Sequence, residues 1–256
     1  MTVFNLMHCQ PDSRKLVLWA SRQGWLPAGG DLGYALHAAL HLVFGERAPK
    51  PFYYRDARAG LLAYTQSEAE QLHEAAAMCA APDLADALGL DAGPRSPGLC
   101  VRAFPHRWDA GRVLGFEVRV RPTRRNSYVE NDRKHASERD AYREDEARME
   151  DQQPLPREAV YAQWLAEQFE TSRAAKLVEA RMTRFQLTPV LRRTQSSEQG
   201  YGGRKPHTIV GPDATFSGHV RVEDTDAFAS LLMRGVGRHR AFGFGMLLLK
   251  PASISA

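Results

Sequence analysis

The segment from Asp224 to Leu249 runs in the order helix, glycine-rich loop, strand, and that order excludes more folds than any other feature of the chain. Asp224 stands as an N-cap ahead of Phe228, Leu231 and Leu232 at helical spacing. The loop Gly235-Val236-Gly237-Arg238-His239-Arg240-Ala241-Phe242-Gly243-Phe244-Gly245 follows, and then the apolar run Met246-Leu247-Leu248-Leu249. Such a loop can bring its backbone close to a phosphate, because glycine has no Cβ to hold it away. A dinucleotide-binding fold needs the sequence strand, glycine turn, helix, and a Walker loop needs Gly-Lys-Ser/Thr; neither is present. A plain turn joining a helix to a strand also fits these residues.

With 256 residues, the chain suits two small domains, and 43% hydrophobic with 25% charged residues supplies an ordinary globular core. A net charge of +4 permits a polyanionic partner without demanding one, so clustering of the arginines matters more than their sum. Cys9, Cys79 and Cys100 stand far apart in apolar contexts and read as reduced core residues, with no CxxC spacing for zinc or redox chemistry. No stretch approaches the ~20 apolar residues of a membrane span, and the N-terminus lacks a basic region, so a cytoplasmic protein is expected.

Taken in order, residues 3–7 predict a strand, 15–20 a short helix, and 32–44 a helix capped by Asp31 and stopped by Gly45. Residues 52–54 and 59–64 predict two strands around a turn at Asp56-Ala57-Arg58, Ser67-Glu68 opens a helix to Cys79, and residues 99–104 close with a strand. This β, α, β, β, α, β order is a ferredoxin-like unit complete by residue 106. A second one is expected over 107–256, with a strand at 113–121, a helix from Pro156, strands at 176–188, 208–210 and 214–222, and the helix and glycine loop 235–245. Residues 126–151, dense in both charges, predict a solvated helix or a loose insertion. The fold class is therefore α+β, two tandem ferredoxin-like (RRM-like) units.

At about 100° per residue, Leu32, Leu36, Leu40, Val43 and Phe44 share one arc of the 32–44 helix, and Tyr34, His37 and His41 share the opposing one. The helix thus buries leucines while presenting a phenol and two imidazoles. Ordinary half-exposed residues would give the same pattern. A zinc site lacks both the glutamate of His-Glu-x-x-His and a cysteine pair.

The loop wording Gly-x-Gly-Arg-His-Arg-Ala-Phe-Gly-Phe-Gly resembles the C-terminal glycine-rich loop of the RAMP superfamily, specifically the CRISPR-repeat endoribonucleases of the CasE type. Asp31-Leu32-Gly33-Tyr34-Ala35-Leu36-His37, with Leu40 and Phe44, resembles the first helix of the same enzymes, where a Tyr-x-x-His pair lies beside the scissile phosphate. The resemblance implies His37 as the catalytic histidine with Tyr34 its companion. This chain has His41-Leu42-Val43-Phe44 where the family commonly has Trp-His-Leu-Phe, which leaves the role of His41 open.

It also implies a substrate, a CRISPR precursor transcript cut at the base of a repeat hairpin to leave a 2′,3′-cyclic phosphate and a 5′-hydroxyl, with the enzyme staying on the crRNA hairpin in a surveillance complex of a type I-E or related type IV system. RNA supplies its own nucleophile, the 2′-hydroxyl, so a base, an acid and charge neutralisation suffice and no metal or other cofactor is expected. Arg119, Arg121, Arg124, Arg125, Arg184, Arg192 and Arg193, with Gly237, Arg238, His239 and Arg240 of the loop, are the candidate RNA-binding residues. Two alternatives remain: a non-catalytic RAMP-type crRNA-binding subunit, which has no need of the Tyr34/His37 pair, and a small-molecule regulatory domain, against which the arginine clusters stand.

Overall fold

The computed structural model describes residues 3–26, 31–93, 96–130, 133–148, 155–194 and 205–252. The chain divides into two compact units, one formed by residues 1–106, 188–210 and 239–246, the other by 107–187, 211–238 and 247–256.

The first unit opens with β1 (Asn5–Cys9), whose alternate residues are buried, and α1 (Ser13–Arg22). Asp12 starts α1 by accepting the amides of Arg14 at 2.9 Å and Lys15 at 3.2 Å. After α2 (Gly33–Phe44) come β2 (Phe52–Asp56) and β3 (Gly60–Thr65), joined by a turn in which Asp56 Oδ1 accepts from the amides of Arg58 and Ala59. Two helices follow, α3 (Ala69–Cys79) and α4 (Pro82–Leu88), then the two-residue pair β4 (Ala92–Gly93) and β5 (Ser96–Pro97), and β6 (Cys100–Ala103). The amide of Glu68 donates to Gln71 Oε1 at 3.2 Å, the reciprocal half of a capping box at the start of α3.

The sheet order is β2-β3-β1-β6, antiparallel throughout, with Met7 opposite both Ala63 and Val101. This is the strand order of a ferredoxin-like unit. One core joins Met7, Cys9 and Leu61 of the sheet to Leu16, Leu36, Leu40 and Leu72 of the helices. Cys9 is fully buried, and that environment pushes its thiol up to about 12, out of reach of thiolate chemistry. Cys79, expected in the core, is instead exposed at the end of α3, and Cys100 is half-buried.

In the second unit β7 (Val113–Val120) leads through β8 (Thr123–Glu130), β9 (Arg133–Asp140) and α5 (Ala141–Arg148) to α6 (Arg157–Thr171). Two long strands, β10 (Ala175–Thr194) and β11 (Lys205–Val222), of which residues 175–187 and 211–222 belong to this unit, precede α7 (Thr225–Arg234) and β12 (Leu247–Lys250). The order β10-β11-β7-β12 is again ferredoxin-like, and Val118 faces Phe216 on one side and Leu247 on the other. Val118, Phe116, Trp164, Phe169, Phe216 and Phe228 are buried here, and the Phe116 and Phe169 rings meet edge to face. Asp224 caps α7 by accepting the Ala227 amide at 2.7 Å, as its position predicts.

Two expectations need correcting. The strands at 208–210 and 214–222 are one strand, and the strand expected to end at 188 runs on to Thr194. The charged stretch is not a lone helix: its first part is the β8–β9 hairpin, in which Arg125 faces Glu138 and Tyr128 faces His135, and only its second part is helical. The hairpin is tied to α6, where Asp140 accepts from Arg157 and from the hydroxyl of Tyr161 at 2.7 Å. The Arg157 guanidinium lies between the rings of Tyr142 and Phe185, 4.1 and 4.7 Å from their centroids. Among the described residues no helix is long and apolar enough to cross a membrane.

Candidate active site

Helix α2 begins one residue later than expected. Its N-cap position is Leu32, and the Asp31 carboxylate accepts the Gly33 amide at 2.9 Å instead. Gly33 is required there, because a Cβ at this position would run into the carbonyl oxygen of Phe242. From that start the helix turns Leu36, Leu40 and Val43 into the core and leaves Tyr34, His37 and His41 half-buried on the other side. The faces read from the periodicity are the faces the structure has.

Residues 239–246 of the glycine loop belong to the same unit as α2. His239 takes a left-handed conformation (φ 59°) and its carbonyl accepts the Phe242 amide at 2.8 Å, closing a single 3-10 turn over Arg240–Phe242. That turn delivers the Phe242 ring to the polar side of α2. It stacks on Tyr34 with centroids 6.0 Å apart and meets His37 edge to face at 5.4 Å. Tyr34 and His37 are themselves 6.2 Å apart, and His37 and His41 meet edge to face at 4.6 Å.

This packing sets the charge state of His37. Burial, helped by the neighbouring His41 and Lys50, pushes its imidazole down to about 4, so the ring is neutral near pH 7 and can accept a proton. An anion seated beside the ring would raise that value again, since a negative neighbour favours imidazolium.

The candidate RNA-binding residues are dispersed. Arg119 is bound bidentately to Asp213, and Arg121 is only 1% exposed, so both guanidinium groups are largely withdrawn from the surface. Arg119 lies in β7 and Arg121 just beyond its end, and their alternation carried no information about an outer face, because β7 is buried along nearly its whole length. Arg124 pairs with Asp145 and, at 3.6 Å, with Glu167. Arg125 and Arg184 are exposed, the latter donating to Gln186 Oε1 at 2.8 Å. Arg192 and Arg193 belong to β10, and their side chains lie outside the described residues. Arg238 pairs with Glu138 at 2.7 Å, and Gly237 (φ 68°) packs where a Cβ would stand 2.8 Å from the Trp164 ring. His239 and Arg240 are half-buried.

Phe242 is the residue that sequence reasoning quoted without giving it work. Its signal was its place inside the loop, where a large ring among glycines has to pack on something. Lys50, which acts on His37 through space, left no signal at all.

Known structures share this arrangement of strands and helices along nearly the whole chain. CRISPR endoribonuclease Cse3 bound to a 19-nucleotide RNA aligns with a TM-score of 0.59 at 16% identity, over 98% of this chain and 100% of that one. Thermus thermophilus Cse3, bound to an RNA representing a pre-cleavage complex, aligns at 0.57 and 17%, over 97% and 100%. A chain of a CRISPR RNA-guided surveillance complex, pre-nicking, aligns at 0.53 and 18%, over 96% and 99%. Comparison with curated protein sequences gives no match. The family model described as CRISPR associated protein matches residues 9–251, and this chain belongs to that family of CRISPR-associated proteins.

Proposed function

We propose that the protein is a CRISPR RNA-processing endoribonuclease that cuts precursor transcripts at the base of repeat hairpins without a metal ion, and then stays on the crRNA as a subunit of an effector complex. The observation that carries this reading is the neutral, half-buried His37 imidazole beside Tyr34 on the polar face of α2. Family membership and the Cse3-like fold support the RNA as substrate.

In this mechanism His37 takes the proton of the 2′-hydroxyl as its oxygen attacks the adjacent phosphorus, and the bond from phosphorus to the 5′-oxygen breaks as that oxygen takes a proton from water, giving a 2′,3′-cyclic phosphate and a 5′-hydroxyl. The Tyr34 hydroxyl orients the phosphate or donates a hydrogen bond to it. Loop amides and the guanidinium of Arg240 stand on the same unit to neutralise the developing charge. Arg125, Arg184 and Arg238 are proposed to hold the duplex by its phosphates.

The test is a labelled repeat-hairpin RNA incubated in excess EDTA, with and without a 2′-deoxy sugar at the cleavage nucleotide. Cleavage in EDTA that the deoxy sugar abolishes, with binding retained, is expected. Cleavage that stops in EDTA and returns with magnesium overturns the mechanism, and tight binding without cleavage favours a non-catalytic crRNA-binding subunit.

A further inference from the structure

We infer that Phe242 is a positioning residue for the catalytic helix, holding the His37 ring in place and shielding it from water by covering both it and Tyr34. The inference rests on His37 being the base proposed above, and it concerns how that base is set.

Three geometric facts converge on this one ring. Phe242 is in ring contact with Tyr34 at 6.0 Å, His37 at 5.4 Å and His239 at 6.2 Å, so it touches both members of the proposed pair as well as its own loop. Aromatic pairs at these separations contribute orientation beyond mere burial, and the edge-to-face contact leaves the imidazole few alternative rotations about its own axis. The backbone of Phe242 is fixed independently, by the hydrogen bond its amide donates to the His239 carbonyl and by the space left at Gly33. A ring anchored at its backbone can therefore dictate the position of a neighbour rather than follow it.

Shielding is the second consequence. Desolvation is the largest influence on the His37 imidazole, ahead of His41 and Lys50. Beside that imidazole stand Tyr34 and His41 on α2 and, acting through its charge, Lys50 ahead of β2, while His239 meets the Phe242 ring, and α1 and α3 pack against the opposite, leucine face of α2. On the polar face the Phe242 ring thus sets an apolar surface against the imidazole, and its removal should admit water there.

The experiment follows the imidazole directly, by NMR titration of labelled histidines in the full chain and in Phe242→Ala and Phe242→Tyr, with hairpin cleavage measured in parallel. Phe242→Ala should raise the His37 pKa by about one unit or more toward the ordinary histidine value and lower the single-turnover cleavage rate by roughly 10- to 100-fold, with RNA affinity within a few fold. The acid limb of the pH–rate profile should move up with it, and Phe242→Tyr should restore both. Where Phe242→Ala fails to fold, Phe242→Leu reads in the same direction, keeping bulk while losing the ring. An unchanged His37 titration in the folded Ala or Leu variant, or failure of Phe242→Tyr to restore it, overturns the inference. Absence of cleavage by the wild-type protein would overturn the nuclease reading instead, and the titration would still decide the role of Phe242.

Discussion

Arg119 grips Asp213 with two parallel hydrogen bonds, Nε to Oδ1 at 2.9 Å and Nη2 to Oδ2 at 2.7 Å, and Gln186 donates a third to the same carboxylate at 2.8 Å. The Asp213 side chain is 2% exposed and that of Arg119 13%. A forked guanidinium matched to a carboxylate in this way is tolerable away from water only while both partners are present. Asp213→Ala should therefore destabilise the protein by about 3–5 kcal/mol, the cost typical of leaving one buried charge unpaired. Urea unfolding measures it, and a loss below about 1 kcal/mol would show that water reaches the pair.

The same pairing separates two kinds of arginine in RNA binding. Arg119→Ala should lower stability while leaving the salt dependence of hairpin binding unchanged. Arg125→Ala and Arg184→Ala, on exposed side chains, should each weaken binding and reduce the salt slope by roughly one unit. Filter-binding across a salt series checks this, and a flat response at both exposed arginines would move the RNA off that surface.

For the chemistry, His37→Ala should slow cleavage by roughly 10² to 10⁴ with affinity within a few fold, the range for losing one general acid or base. His41→Ala is the companion variant, one turn along the same face. Should His41→Ala abolish cleavage while His37→Ala does not, the catalytic assignment moves one turn along α2.

The depressed His37 pKa also makes a stability statement. Below pH 6.5 the unfolded chain binds a proton at this imidazole that the folded chain refuses until about pH 4. The unfolded state then holds more protons, so the contribution is complete above pH 6.5 and is lost as pH falls through that window. Denaturant unfolding at several pH values should show this decline, and His37→Asn should flatten it relative to wild type.

The Arg157 tether predicts a local effect. Arg157→Ala removes the hydrogen bonds to Asp140 and Tyr161 and the stacking on Tyr142 and Phe185. Hydrogen exchange in β8, β9 and α5 should accelerate while β7 and α6 keep their protection. Uniform acceleration across the unit would mean that the hairpin is held by something else.

What the sequence revealed follows from where periodicity has a physical cause. The two faces of α2 were legible because one of them packs on a core and the other does not, which is what a 3.6-residue period records. The two ferredoxin-like units were legible from the order of such segments. The placement of Arg119 and Arg121 was not, since a strand buried along nearly its whole length has no polar face to reveal. The β8–β9 hairpin stayed hidden because its composition is that of a solvated segment, and what holds it, the Arg157 cluster, comes from residues on three other elements, α5, α6 and β10. Lys50 acts on His37 across space, and no local pattern encodes that.

The seating of Phe242 on Tyr34 and His37 joins residues about two hundred positions apart in the sequence. Chains grow from the N-terminus, so a ribosome finishes α2 long before it makes the loop that covers the imidazole. A nascent chain stopped anywhere short of the loop carries His37 without its cover, open to water and closer to an ordinary surface histidine. The proposed catalytic pair is therefore incomplete in a nascent chain until residues 239–246 have been made and have folded onto α2.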